Sequence, residues 1–337
     1  MKIKLPQLIY NVFPIIFICL FCSTTLAGNF NNLIMIDKRG GLVRFFDAST
    51  FVEISQLSID GTPHELALSP DRRTAYVPDY GNGVYRNNPK PGSKIAVIDL
   101  ETRTLRGNID ISPYLAPHGL QVDAEGTLYV SCDISRKLLI IDPDSLTVSD
   151  VIDTEGTGHW LVVLPDGSKA YVANKNDRLF VSVIDLKAKQ MIGKIPMPNG
   201  TQGISISPDG RNVLAMDLTE PKIVVIDTQS DTVKQEIIIE GNKSGGWQAE
   251  YSPNAEKIIS INAREKTANI ISAREPESKQ ISVDVGSQPF GIEFTADSEQ
   301  VLVSNHGDGT VSLIDTQRGK VIKTIQAGTG IETLAYF

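Results

Sequence analysis

Three of the chain's four histidines share one local context. They are the second residues of Pro63-His64-Glu65-Leu66, Pro117-His118-Gly119-Leu120 and Gly158-His159-Trp160-Leu161. Neutral imidazoles are common ligands for transition metals, and they also serve as acid–base groups. Whether the three side chains meet at one site depends on the elements that carry them.

A repeat runs through the chain. An apolar strand ending in Ile-Asp, or a close variant, recurs at intervals of 52, 43, 43, 42, 45 and 43 residues. Its copies are Phe46-Asp47, Ile98-Asp99, Ile141-Asp142, Ile184-Asp185, Ile226-Asp227, Ile271-Ser272 and Ile314-Asp315. Each unit holds four short runs rich in Val, Ile, Leu and Tyr, separated by Pro-Asp-Gly or Asn-Gly turns. Four strands in a unit of about 43 residues are typical of a β-propeller blade.

The two ends of the repeat array complement each other. Residues 331–337 provide one strand with no blade after it, and residues 32–59 provide three strands, Leu33–Ile36, Leu42–Phe46 and Glu53–Ile59. With strands named a to d from the axis outward, the closing blade takes strands b–d from the N-terminal side and strand a from the C-terminal side. The sequence therefore predicts an all-β, seven-bladed β-propeller with four antiparallel strands per blade and no open sheet edge.

The motifs within the blades resemble those of YVTN-repeat β-propellers. They include Tyr171-Val172-Ala173-Asn174, Leu302-Val303-Ser304-Asn305 and Ser207-Pro208-Asp209-Gly210. The resemblance covers essentially all of residues 30–337, although the Gly-His and Trp-Asp pairs of WD40-like repeats do not recur from blade to blade. More distantly, the chain is similar to the propeller domains of nitrous oxide and heme-containing nitrite reductases and to propeller lactonases. This resemblance implies a fold rather than an activity.

Aligning the blades brings the histidines into one slot just before strand a. We expect this slot at the mouth of the central channel, on the face that carries the b–c loops, which we call the top face. Its seven members are His64, His118, His159, Gln202, Trp247, Phe290 and Glu332. Glu332 of the closing blade is the neighbour of His64, so the ring contains a Glu–His–His–His arc opposite one amide and two aromatic side chains.

A second ring is formed by the last residue of each strand b. Its members are Asp37, Asp79, Cys132, Asn174, Asp217, Asn262 and Asn305, and Lys175 and His306 each follow it by one position. The asparagines suit a structural role in the b–c turn, whereas Asp79 and Cys132 are also candidates for ligand binding. The longest b–c loop, from Tyr80 to Ser93, is interpreted either as a lid over the slot or as a tolerated insertion.

Three interpretations of the arc stay open. His64, His118, His159 and Glu332 suit a transition metal such as Zn, Cu, Fe or Mn, with Glu65, Asp79 or Asp133 orienting the rings. The same residues suit a metal-free pocket for a small molecule, with Trp247 and Phe290 as apolar walls. A purely structural role is the third interpretation.

Two classes of function follow. One is a binding module that holds a small ligand, cofactor or metal at the top face, as a scaffold or accessory protein. The other is a metal-dependent enzyme that uses the arc, either a lactonase-like hydrolase or a redox enzyme. The sequence contains no phosphate loop, nucleophile elbow or covalent heme motif.

The first 27 residues have the pattern of a secretory signal peptide. Lys2 and Lys4 precede the apolar stretch Ile15–Phe21, and small residues lead to a cleavage site after Ala27. We predict a propeller domain over residues 28–337 and a periplasmic or secreted location. Lipid attachment at Cys22 is an alternative that bulky Phe21 disfavours.

Charge and cysteine content narrow the partners. The formal net charge is −8, so we expect no nucleic-acid binding, which requires clustered Lys and Arg. Cleavage after Ala27 would leave only Cys132, and hence no internal disulfide. No later segment is apolar enough to span a membrane. We expect a monomer. Its partner, a small molecule or a protein, is expected to bind at the top face.

Overall fold

The computed structural model describes residues 30–85, 87–175 and 178–337, which form 28 β-strands and no α-helix. The predicted signal peptide lies outside these residues and stays a prediction. No helix of the described ranges is long and apolar enough to cross a membrane. The strands pair into seven antiparallel sheets of four, so the predicted seven-bladed β-propeller is confirmed.

The strands follow the chain blade by blade. Blade one contains β4 (Ala67–Leu68), β5 (Thr74–Gly81), β6 (Pro91–Asp99) and β7 (Thr104–Asp110), and blade two contains β8 (Pro117–Val122), β9 (Leu128–Cys132), β10 (Lys137–Asp142) and β11 (Thr147–Asp153). Blade three contains β12 (Gly158–Val163), β13 (Lys169–Asn174), β14 (Phe180–Asp185) and β15 (Gln190–Pro196), and blade four contains β16 (Thr201–Ile206), β17 (Asn212–Asp217), β18 (Lys222–Asp227) and β19 (Thr232–Ile238). Blade five contains β20 (Gln248–Tyr251), β21 (Lys257–Asn262), β22 (Thr267–Ser272) and β23 (Ile281–Asp284), and blade six contains β24 (Pro289–Phe294), β25 (Gln300–Asn305), β26 (Thr310–Asp315) and β27 (Lys320–Gln326).

Blade seven closes the ring as predicted. It joins β28 (Ile331–Tyr336) to β1 (Asn32–Asp37), β2 (Leu42–Asp47) and β3 (Glu53–Ser58) in the order β28-β1-β2-β3. The carboxylate of Asp37 holds this joint, because it accepts hydrogen bonds from Gly330 N at 2.9 Å, Thr329 Oγ1 at 2.9 Å and Arg44 Nε at 2.9 Å. The two ends of the array are therefore tied by a buried polar group as well as by the strand pairing.

The hydrophobic core is divided among the seven interfaces between neighbouring blades. Strands b and c are covered on both faces, so they read as continuous Val and Ile runs, whereas strand d alternates between buried and exposed side chains. Tyr171 of blade three, for example, packs with Val213 of blade four in one of seven such clusters. Each blade depends on its neighbours for burial, which is the property expected of a repeat protein.

The slot sits slightly differently from the prediction. In five blades its residue is the second residue of strand a, instead of preceding the strand; these residues are His118, His159, Gln202, Phe290 and Glu332. The pairing of strand a with strand b is interrupted at this position, as between Pro117 and Leu120 in β8. Such an irregularity re-aims side chains.

Candidate functional site

One cavity of about 460 Å³ occupies the channel mouth on the top face. All seven slot residues line it, so the structure brings together the residues that the blade alignment placed in one ring. Side chains from the b–c turns complete the wall, notably Lys38, Lys175 and His306.

His64 and His118 form the closest pair in the cavity. Their Nε2 atoms lie 2.8 Å apart, and the two side chains are almost completely buried. Burial is the main cause that lowers the pKa of both imidazoles well below the usual value; Lys38 acts in the same direction on His64, and His159 on His118. Both rings are therefore neutral near pH 7, which is the form that binds metals.

Glu65 is the carboxylate that lies with this pair. A ligating atom from each of His64, Glu65 and His118 can be chosen so that all three lie within 4.8 Å of one another. Glu65 Oε1 also accepts a hydrogen bond from Trp160 Nε1 at 3.1 Å. Burial first, and then the charge of Glu332, raises the pKa of Glu65 well above its usual value, so a nearby cation would favour the charged form of this carboxyl.

Glu332 lies on the other side of the His64 ring. Its Oε1 is 3.6 Å from His64 Nδ1 and 3.7 Å from Lys38 Nζ. Its Oε2 is 3.0 Å from His306 Nδ1, but the two atoms are not aligned for a hydrogen bond. Glu332 therefore lies beside His64 without a hydrogen bond to its Nδ1, and it is not in the group of ligating atoms around His64, Glu65 and His118.

His159 is also separated from the predicted ligand set. Its ring lies tilted by 33° against that of His118 with a centroid distance of 3.5 Å, yet both of its nitrogens face other groups. Nδ1 lies 3.3 Å from both carboxylate oxygens of Asp133, and Nε2 lies 3.5 Å from Lys175 Nζ. Tyr80 donates its hydroxyl to Asp133 Oδ2 at 2.8 Å, so Asp133 lies between the Tyr80 hydroxyl and the His159 ring.

The opposite wall of the cavity is apolar. Trp247 and Phe290 stack with a centroid distance of 4.1 Å and an interplanar angle of 8°, and Phe290 stacks in turn on His306 at 4.9 Å. Beside them, Gln202 is buried and its Oε1 has no hydrogen-bond partner. An aromatic surface next to an unsatisfied acceptor suits a flat organic ligand that carries a donor.

Two predicted residues lie away from this cavity. Asp79 accepts backbone hydrogen bonds from Thr62 at 2.8 Å and Gly81 at 3.0 Å, so it organises the turn around it. Cys132 is buried in the apolar cluster between blades one and two, and burial raises the pKa of its thiol far above the usual value. Neither residue contributes to the cavity lining.

The remaining polar ends of strand b behave as structural groups. Asn174 Nδ2 donates to the carbonyl of Phe180 at 2.9 Å, and Asn262 Nδ2 donates to the carbonyl of Ser244 at 3.0 Å. The long b–c segment from Tyr80 to Ser93 contributes Tyr80, Val84 and Tyr85 to the cavity wall. It therefore forms part of the rim of the site, beside His64 and His118.

Three basic side chains at the rim of the cavity were not predicted as site residues. Lys38, Lys175 and His306 line the cavity, and each lies one residue after a strand b, which is the only signal that the sequence gives for them. Burial is the main cause that lowers the pKa of Lys175 to about 8, partly offset by the nearby Asp133 carboxylate. An amine of this kind is a far better nucleophile near neutral pH than an exposed lysine.

A second cavity of about 550 Å³ fills the lower channel. It contains Glu250 and Glu293, and burial raises their pKa values to about 8 and about 7. Glu65 and Trp160 line both cavities, so their hydrogen bond stands between the upper and lower parts of the channel.

Comparisons with known proteins agree with the fold. The YNCE-like beta-propeller family matches residues 141–254, about a third of the chain, and no curated protein matches in sequence. The solved structure of Kuenenia stuttgartiensis Hydrazine Synthase superimposes with a TM-score of 0.71 at 17% identity, covering 85% of this chain and 92% of that chain. A functionally unknown protein from Desulfotomaculum acetoxidans DSM 771 superimposes with a TM-score of 0.74 at 10% identity, covering 91% of this chain and 98% of that chain. The resemblance to repeat-type β-propellers is confirmed, and at these identities the structural likeness concerns the fold alone.

Proposed function

We propose that this β-propeller binds a divalent transition metal through His64, His118 and Glu65, and a small organic ligand beside it in the same cavity. The observation that carries the proposal is the facing pair of buried, neutral imidazoles with a carboxyl group within ligating reach. The organic ligand is supported by the stacked pair Trp247 and Phe290 on the opposite wall.

The distances favour one ion shared by the two histidines. Two imidazole nitrogens bound at about 2.0–2.1 Å to a tetrahedral ion lie about 3.3 Å apart. The Nε2 atoms of His64 and His118 are 2.8 Å apart, so a shift of roughly half an ångström would admit the ion. Two imidazoles and a carboxylate suit zinc, iron or manganese, and copper also accepts imidazole.

Charge balance supports the same set. Burial of a carboxylate is costly without a compensating cation, and burial is the main cause that raises the pKa of Glu65 well above its usual value. Metal binding would displace any proton that Glu65 holds, and the Glu332 carboxylate, 3.6 Å from His64 Nδ1, would add negative charge beside the ion. A bound ion would thus be coordinated by His64 and His118, and it would balance the buried charge of Glu65.

A metal-dependent enzyme is the second candidate function. Three protein ligands leave a coordination position for water or substrate, which is the arrangement of catalytic zinc sites. Lys38 and Lys175 in the cavity wall would favour an anionic substrate. Hydrolysis of a lactone or ester and redox chemistry are the two reaction types proposed for such a site.

We also propose that the protein acts in the periplasm or outside the cell, as a monomer without affinity for nucleic acid. The support is the signal-peptide pattern of residues 1–27 and the net charge of −8.

The test is metal content in protein purified without a histidine tag. After incubation with zinc and extensive dialysis, the wild-type chain should retain about one ion per chain. The His64→Ala/His118→Ala and Glu65→Gln variants should bind at least 10-fold more weakly in competition with a chromophoric chelator.

His306→Ala is the matched control, because it removes a cavity histidine outside the proposed ligand set. It should bind zinc like the wild type. Equal zinc affinity in the wild-type, double-alanine and Glu65→Gln proteins, each shown by circular dichroism to be folded, would refute the metal site. Loss of folding in the double variant alone would leave Glu65→Gln as the deciding measurement.

A further inference from the structure

Four polar side chains form a continuous relay along one wall of the upper cavity. The Tyr80 hydroxyl donates to Asp133 Oδ2 at 2.8 Å, and Asp133 faces Nδ1 of His159 at 3.3 Å. Nε2 of His159 then faces Lys175 Nζ at 3.5 Å. With its Nδ1 proton directed at the carboxylate, His159 presents a free lone pair on Nε2 to the lysine.

This order of groups is that of an activated nucleophile. A nucleophile within reach of a base, with the base held by a third group, is the arrangement that recurs in covalent catalysis. Here the amine of Lys175 takes the first place, His159 the second and Asp133 the third. Asp133 and His159 are buried, so this geometry is fixed by packing.

The surroundings of Lys175 also suit a reactive amine. Its Nζ lies 5.0 Å from the ring centroid of Tyr85 and 5.4 Å from that of Trp247, on the aromatic side of the cavity. Burial is the main cause that lowers its pKa to about 8; Asp133 and Glu332 act in the opposite direction, and Lys38 lowers it further. This shift increases the share of free amine near neutral pH relative to an exposed lysine.

We propose that Lys175 captures an aldehyde or ketone as an imine, with His159 as its base. His159 Nε2 takes a proton from the ammonium, and the freed amine attacks the carbonyl carbon, so that a C–N bond forms as the C=O π bond opens. One further nitrogen proton moves to the oxygen, His159 returns the proton that it took, and the C–O bond breaks to release water while the nitrogen keeps the iminium charge. One carbonyl compound and one lysine thus give one iminium and one water, with no oxidant or reductant consumed.

The cavity indicates the class of carbonyl compound. The stacked rings of Trp247 and Phe290 offer a flat apolar surface beside the amine, which fits an aromatic or otherwise planar group next to the carbonyl carbon. Lys38 lines the same cavity and would favour a carboxylate on that ligand. This inference rests on the organic-ligand pocket of the proposed function, but it requires no metal.

Reductive trapping tests the inference. Protein treated with chelator is incubated with benzaldehyde or 4-carboxybenzaldehyde and sodium cyanoborohydride, which converts the imine into a stable secondary amine. Peptide mass spectrometry should place the aryl-methyl adduct on Lys175, and the carboxylated probe should react faster. The trapping rate should rise with pH through about 8, whereas an exposed lysine rises near its ordinary pKa of about 10.4.

Variants separate the lysine from its relay. Lys175→Met should abolish trapping at this position, and His159→Gln should slow it by about 100-fold, the size expected for loss of a general base. Lys320→Met removes an exposed lysine and should leave trapping at Lys175 unchanged. Asp133→Asn should lower the rate less than His159→Gln does.

The outcomes distinguish this inference from the metal site. Label distributed over exposed lysines with no preference for Lys175, or an unchanged rate in a folded His159→Gln variant, overturns the imine proposal while leaving metal binding intact. Selective trapping at Lys175 in a chain that fails the zinc test supports the imine proposal and rejects the metal.

Discussion

The carboxyl of Glu250 in the lower channel should make the propeller less stable in alkaline solution, and Glu250→Gln should remove that effect. Burial and the neighbouring Glu293 raise the pKa of Glu250 from 4.5 to about 8. Between these two values the folded chain holds a proton that the unfolded chain has lost. The free energy of unfolding therefore falls as the pH rises from about 4.5 to about 8, and is constant beyond it.

The magnitude follows from the pKa difference. At about 1.4 kcal/mol for each pH unit, the ceiling at pH 9 is roughly 5 kcal/mol. The Glu250 side chain keeps partial contact with solvent in the channel, so water offsets part of this cost. We therefore expect Glu250→Gln to be more stable than the wild type by about 2 kcal/mol at pH 9 and about equal at pH 5.

The assay is urea unfolding followed by far-ultraviolet circular dichroism at pH 5, 7 and 9. Glutamine matches the shape of the protonated carboxyl, so packing is preserved. Glu256→Gln is the control, since Glu256 lies exposed on the same blade. A stability difference between Glu250→Gln and the wild type that is the same at all three pH values would refute the reasoning.

Two further predictions concern groups outside the cavity. Asp37→Asn should destabilise the chain by about 3 kcal/mol at pH 7, because a buried carboxylate that joins β1 to the turn before β28 loses its charge. Burial raises the pKa of Asp37, but its hydrogen bonds together outweigh burial and lower the pKa overall. The wild-type advantage is therefore present above pH 3.8 and should vanish in urea titrations as the pH falls below it. Cys132→Ser should cost about 1–3 kcal/mol, because the hydroxyl enters an apolar cluster without a partner. Its zinc content should equal that of the wild type, and a loss of zinc would show that Cys132 matters for the site.

The ring of seven slot residues could be predicted because a regular repeat fixes position. Once the blades are aligned, residues at the same register stand at the same height around the axis, whatever their separation in sequence. The blade alignment therefore predicted that His64, His118 and Glu332 lie at one cavity, although no side-chain contact was known. The same argument correctly placed Trp247 and Phe290 on the opposite wall.

The partners of each side chain could not be predicted in this way. Alternation along a regular strand would turn Glu65 away from His64, but β4 begins only at Ala67, so both side chains reach the cavity. Lys38 and Lys175 come from turns whose paths the repeat does not specify. Register gives the height of a residue, whereas rotamers and turn geometry decide which atoms meet.

The cavity is complete only when both ends of the repeat array have folded, because they meet in blade seven. Glu332 lies on β28 and Lys38 directly follows β1, so two walls of the cavity come from opposite ends of the repeat array. A chain that has folded six blades but has not joined β28 to β1 has no complete cavity. A ligand bound between these walls would stabilise the closed ring, because the ligand would be lost when β28 separates from β1. Ligand binding could then be measured to follow the pairing of β28 with β1.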